Sequence, residues 1–128
     1  MDDVIMTDSD LSMLTIAMPC DTNPAGDIFG GWLMSQMDLG ASNVAARRAR
    51  GRCATVAVDS FHFLTPVHVG DEVSVYARII SVGRTSIKLK VEAYRRERHG
   101  DDKIKVTEAI FTFVALDEDG KARPVPLP

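Results

Sequence analysis

The sequence predicts an α+β fold: a first strand, one long helix, then four long strands that pair antiparallel. Two observations carry this. A run of small and apolar residues with helical period extends from about Gly30 to Arg48 and stops at Arg47, Arg48 and Gly51, the residue types expected where a helix ends. Beyond Gly51 the period changes, and four stretches rich in Val, Ile, Thr, Phe and Tyr follow one another between turn residues. Their short connections favour antiparallel neighbours.

The elements follow in order. Residues 1–10 are polar and read as a flexible N-terminus. Residues 11–123 form a single domain, and residues 124–128 are a proline-rich tail that cannot continue a ladder. Leu11 to Met18 reads as a first strand, and Pro19 to Asp27 as a loop dense in Pro, Asn, Asp and Gly. The later strands are Ala54–Leu64, Glu72–Val82, Ser86–Arg96 and Lys105–Leu116. In the third of these Ile87, Leu89, Val91 and Ala93 alternate with Lys88, Lys90, Glu92 and Tyr94, the mark of a strand with one buried face. Ala109–Leu116 is apolar on both faces, which places it centrally with cover on both sides. One helix cannot cover two sheet faces, so self-association as at least a dimer is expected.

Composition narrows the function. The 128 residues are 45% hydrophobic and 26% charged with a net charge of −3. That balance allows one ordinary core and lacks the basic excess of a nucleic-acid binder. The acidic N-terminus has no signal-peptide pattern, and no apolar run reaches the roughly 18 residues of a membrane span. A cytoplasmic protein with no membrane partner is expected, and Cys20 and Cys53 fit reduced thiols there. The scattered His62, His68 and His99 give no ligand spacing, so no metal is expected.

The candidate chemistry lies on the helix and the loop before it. At about 100° per residue, Leu33, Met34, Met37, Ala41, Val44 and Ala45 share one arc. Asp38 falls at its edge, while Trp32, Leu39 and Asn43 point away. Two readings of Asp38 stand: a solvated acid, or a partly desolvated carboxylate suited to act as a base. Gly30 and Gly31 put bare N–H groups at the helix N-terminus, where a developing oxyanion is stabilised. Asn23 reads either as an amide donor to that site or as a local Asx-turn. Phe61 and Phe63 read as core residues, with His62 on the opposite strand face.

The segment Thr22 to Asp38, including Phe29, Gly30 and Gly31, resembles the signature of YciA-type bacterial acyl-CoA thioesterases, of the hotdog-fold family. The likeness continues through Thr55–Asp59, Pro66–Asp71, Val82–Ser86 and Phe111–Ala115. It implies a helix wrapped by a curved sheet, and assembly from dimers, often trimers of dimers, with sites at subunit interfaces. It implies an acyl-CoA substrate and no cofactor beyond the CoA of that substrate. By position, Asp38 matches the catalytic acid and Asn23 an asparagine that binds or polarises the thioester. Gly30 and Gly31 match the carbonyl-binding turn. The Asn and Asp of one site would come from different subunits. Gly83, Arg84, Thr85 and Ser86 match the segment lining the CoA channel. Met34 and Met37 read as core or as acyl-pocket lining, since Met adapts to varied shapes, and Phe29 is a further substrate-binding candidate. Arg78, Lys88 and Lys90 are basic neighbours, either phosphate-binding or on a solvated strand face. A rival reading is a hydroxyacyl-thioester dehydratase, which needs a His beside the carboxylate. Another is a non-catalytic acyl-CoA-binding module.

Overall fold

The computed structural model describes residues 5–128. It contains β1 (Leu11–Ile16), α1 (Gly30–Ala49), β2 (Cys53–Phe63), β3 (Glu72–Val82), β4 (Ser86–Arg96) and β5 (Lys103–Ala115). All strand pairs are antiparallel, in the order β1-β3-β4-β5-β2. The sheet curves round α1, which touches all five strands. β3 and β4 run between the residues the sequence predicts. β1 stops at Ile16, because Ala17 bonds instead to the β2–β3 turn, through Ala17 N–H to Asp71 O and Gly70 N–H to Ala17 O.

The helix sits close to the sheet because its buried stripe is small. Gly40, Ala41, Ala45 and Ala49 are all buried. A Cβ on Gly40 would lie 2.9 Å from Val75 Cγ1, and the Ser12 hydroxyl donates to Gly40 O at 2.6 Å. Leu33 and Met37 add larger apolar groups against Phe111, Phe113, Leu89 and Val91. Met37 is thus wholly core. Trp32 does not point away as the helical wheel suggests; it is half-buried and packs on the core.

The helix ends one residue earlier in left-handed geometry than its glycine implies. Arg50, at φ 55°, is the left-handed residue. Gly51 is needed for another reason: the Arg123 guanidinium fills the space of its missing Cβ, 2.7 Å away. From there Arg123 donates to Ala49 O at 3.0 Å and Leu116 O at 2.8 Å, serving a carbonyl that the helix end leaves without a partner. The proline-rich tail is tied down by Arg48 to Pro126 O at 2.6 Å and by Val125 N–H to Arg84 O at 2.8 Å.

The N-terminal segment is more structured than expected over its last residues. Asp8–Asp10 form a 3-10 turn, and Asp10 accepts two hydrogen bonds from Arg78. Residues 1–4 lie outside the described residues.

The outer sheet face differs from the sequence reading. Its centre is closed by charges of the chain itself. Lys90, only 4% exposed, lies 3.9 Å from both Glu92 and Glu108. Lys105 donates to Glu92 at 3.0 Å and pairs with Glu108. That hydrogen bond outweighs burial and holds the Glu108 carboxyl below its usual value. Burial, followed by the hydrogen bond to Glu92, pushes the Tyr94 phenol up to about 12. Long aliphatic stems cover the strands while the charged heads pair. Lys90 is therefore not on a solvated face.

Candidate active site

Asp38 lies one helical turn beyond Met34 and beside the buried Met37, so anchoring of α1 fixes its direction. It is half-buried, and its Oδ1 accepts a hydrogen bond from the Thr55 hydroxyl at 2.5 Å. Thr55 owes its position to an irregularity in β2. The ladder partners shift between Thr55, opposite Phe113, and Ala57, opposite Thr112, and such bulges re-aim side chains next to sites. The carboxylate opens on a cavity of about 300 Å³ lined by Gly31, Met34, Ser35, Thr55, Val58 and Phe111. Asp38 is the only ionisable group in that lining. One of its oxygens is committed to Thr55; the second is left to accept from a water. The sequence reading did not single out Thr55 for a role, since its signal is a contact 17 residues away made by a bulge.

At the helix start, Phe29 caps α1 with no side-chain hydrogen bond, and the first turn holds no acid. The positive end of the helix is therefore not neutralised by its own sequence. The first-turn N–H groups of Gly30 and Gly31 have no helical carbonyl to serve. Both glycines are closely covered by aromatic rings. A Cβ on Gly31 would lie 2.8 Å from Phe29 Cε2, and one on Gly30 would lie 3.1 Å from Phe63 Cζ. Phe63 is not the core residue its alternation suggests. It is 57% exposed, because Ser60 takes a left-handed φ of 54° and the β2 ladder shifts between Asp59 and His62. Phe29, Gly30 and Phe63 border a second, mostly apolar cavity of about 300 Å³.

Asn23 adopts the local reading within its own chain. Its Oδ1 accepts from the N–H groups of Ala25 at 3.0 Å and Asp27 at 3.1 Å. This fixes the amide plane and leaves the NH2 as the remaining donor. Asn23 lines neither cavity, so a single chain does not bring it to Asp38.

Gly83 to Ser86 form the β3–β4 turn at the other end of the fold, where the tail crosses the helix C-terminus. Gly83 N–H donates to Ser86 O at 2.8 Å, and a Cβ on Gly83 would meet Ser86 Oγ at 2.8 Å. Thr85 O accepts from Ala115 N–H at 2.9 Å. The Arg84 side chain is exposed and has no acidic partner among the described residues. None of these four residues lines the Asp38 cavity. Arg78 is held by Asp10 at 2.7 Å.

His62 lies opposite Glu108 in the ladder, on the outer side of the sheet, and is absent from the Asp38 cavity. The carboxylate–imidazole pair of a dehydratase is not formed within the chain. Burial pushes the Cys53 thiol up, with Arg123 pulling the other way, which does not favour the nucleophilic thiolate. Among the described residues, no three His, Cys, Asp or Glu side chains gather to hold a metal ion. No helix among them is long and apolar enough to cross a membrane.

The fold agrees with family comparison. The thioesterase superfamily profile matches residues 25–100, and the chain belongs to that family. More particularly, it is 49% identical over 121 residues to the acyl-CoA thioester hydrolase YciA of Salmonella typhimurium, covering 92% of this chain and 91% of that one. It is 55% identical over 111 residues to an uncharacterised acyl-CoA thioester hydrolase of Zymomonas mobilis, covering 87% and 74%. The crystal structure of a hexameric thioesterase from Yersinia pestis superposes with a TM-score of 0.90 at 48% identity, covering 96% of this chain and all of that one. The architecture is the hotdog fold.

Thr55→Val removes the hydroxyl that holds Asp38. A hydrogen bond to a charged group contributes about 1.5–3 kcal/mol, so kcat for the family reaction is expected to fall roughly 10- to 100-fold with KM little changed. Thr55→Ser should restore most of it. Steady-state kinetics on the three proteins checks this.

Proposed function

We propose that this chain hydrolyses acyl-CoA thioesters to free CoA and a carboxylic acid, with Asp38 as general base. The observation that carries the reading is the half-buried Asp38 carboxylate, held by Thr55 at the mouth of a mostly apolar cavity. Relatives about half identical to it are named for that reaction. Asp38 takes a proton from water as its oxygen attacks the thioester carbonyl carbon. The oxyanion that forms is met by N–H groups of Gly30 and Gly31. Collapse breaks the C–S bond, and the proton on Asp38 passes to the departing CoA sulfur. Water is the only co-reactant.

The site is shared between two copies. Asp38 of one faces the Asn23 amide of the other, which accounts for the separation of these two residues within a single chain. Exposed apolar groups along the free edge of β2 and the adjoining helix, Val56 and Leu39, are the surface on which copies meet. Dimers built this way associate into a trimer of dimers, which contains six chains, the number in the hexameric relatives. The free thiols Cys20 and Cys53 suit a reducing cytoplasm.

Release of free thiol from a panel of acyl-CoAs tests the activity. Turnover supports it; tight binding without turnover overturns it in favour of a sensor. Arg84, which has no acidic partner among the described residues, receives the CoA phosphates with Thr85 and Ser86. Arg84→Glu is therefore expected to raise KM for CoA esters about tenfold or more, and to leave KM for a short thioester lacking the nucleotide unchanged. Equal effects on both substrates would remove Arg84 from phosphate binding.

A further inference from the structure

Acyl-CoA has a tail of variable length, and the second cavity at the helix start has the form of a place for it. We infer that this cavity houses the acyl chain and that the Phe63 ring is the wall that sets the preferred chain length. The inference rests on the thioesterase reading above.

The cavity is lined chiefly by Ile28, Phe29, Leu33, Phe63, Leu64 and Val67, and Asp27 is its only ionisable neighbour. Its floor is firm, since Leu33 and Val67 are buried members of the core. Gly30 lines it as well. A thioester whose carbonyl oxygen rests on the Gly30 N–H therefore has its first acyl carbons at the mouth. At about 300 Å³, the space lies at the lower end of small-ligand pockets. It has room for roughly ten groups of water size, at about 30 Å³ each.

Phe63 is placed to act as the wall. Its ring tip rests on the first helical turn, where a Cβ on Gly30 would lie 3.1 Å from Cζ. Phe61 packs against its other side, with ring centroids 4.8 Å apart. The ring is thus wedged between helix and strand although more than half its surface is open. A half-exposed aromatic held this way adds less to the core than a buried one. It can be changed in size without opening the interior.

The test compares kcat/KM of the assembled wild-type protein, Phe63→Ala and Phe63→Trp across straight-chain acyl-CoAs from acetyl to palmitoyl. Ratios between chain lengths within one preparation do not depend on its folded fraction. One misplaced methylene changes selectivity by about 10- to 200-fold. Phe63→Ala is expected to raise the ratio of the longest chains to butyryl-CoA about tenfold or more, and Phe63→Trp to lower it. Wild-type turnover with the same profile in all three proteins overturns the wall while leaving the thioesterase reading intact. Absence of turnover in the wild type overturns both.

Discussion

Asp38→Asn is expected to lower kcat for acyl-CoA hydrolysis by about a thousandfold, within the range that a positioned general base contributes. The substitution is nearly isosteric. The amide oxygen still accepts from Thr55, so the contact at 2.5 Å survives. Met37 and Ala41, which anchor this part of the helix, are untouched. What disappears is the ability to take a proton from water. Thermal melting and oligomer size should match the wild type while thiol release is lost. Near-normal hydrolysis by the variant would remove Asp38 from the mechanism.

The largest expected effect on stability is at Asp71, far from that chemistry. Asp71 and Arg95 are both buried, and Asp71 Oδ2 lies 3.7 Å from Arg95 Nη1. The same oxygen accepts from His68 N–H at 2.9 Å and so closes the β2–β3 turn. Arg95 is already poorly served. Its Nε and Nη1 are buried with no hydrogen-bond partner among the described residues. Asp71→Ala removes the nearest countercharge from a largely buried cation and leaves it only the more distant, exposed Glu97 at 4.0 Å. Breaking a buried pair in this way costs about 3–5 kcal/mol, a large part of the roughly 5–15 kcal/mol that holds a domain folded. Urea unfolding should show the midpoint falling sharply. A variant carrying Asp71→Leu with Arg95→Met, which removes both charges, should recover much of the loss. If the single variant unfolds at the wild-type midpoint, the pair does not hold the turn.

Features set by local pattern were legible in the sequence. The period change after Gly51 gave the helix and the strands, and the turn residues bounded β3 and β4 correctly. Asp38 was visible at the edge of an apolar arc, but the arc left both a solvated and a desolvated acid open, and only the family resemblance implied a role for it. Features set by contacts distant in the chain were not legible. Thr55 reaches Asp38 only through the shift in β2. Phe63 leaves the core because of a left-handed serine three residues earlier. Lys90 alternates like a solvent-facing residue, yet Glu92 and Glu108 beside it let it stay buried. Gly51 marked the helix end correctly, although its purpose is to admit Arg123 from the far end of the sequence. Alternation tells which way a strand residue points, not what else will cover it.

On the proposed mechanism, one reaction centre draws Asp38 from one chain and the Asn23 amide from another. Co-expression of Asp38→Asn with Asn23→Ala measures this directly. Each variant alone should be nearly inactive. In a dimer related by a twofold axis, random mixing puts both intact halves together in about a quarter of the sites. The mixed assembly is therefore predicted to regain about a quarter of wild-type thiol release. Activity no higher than the two parents combined, in assemblies shown to contain both chains, would contradict the account.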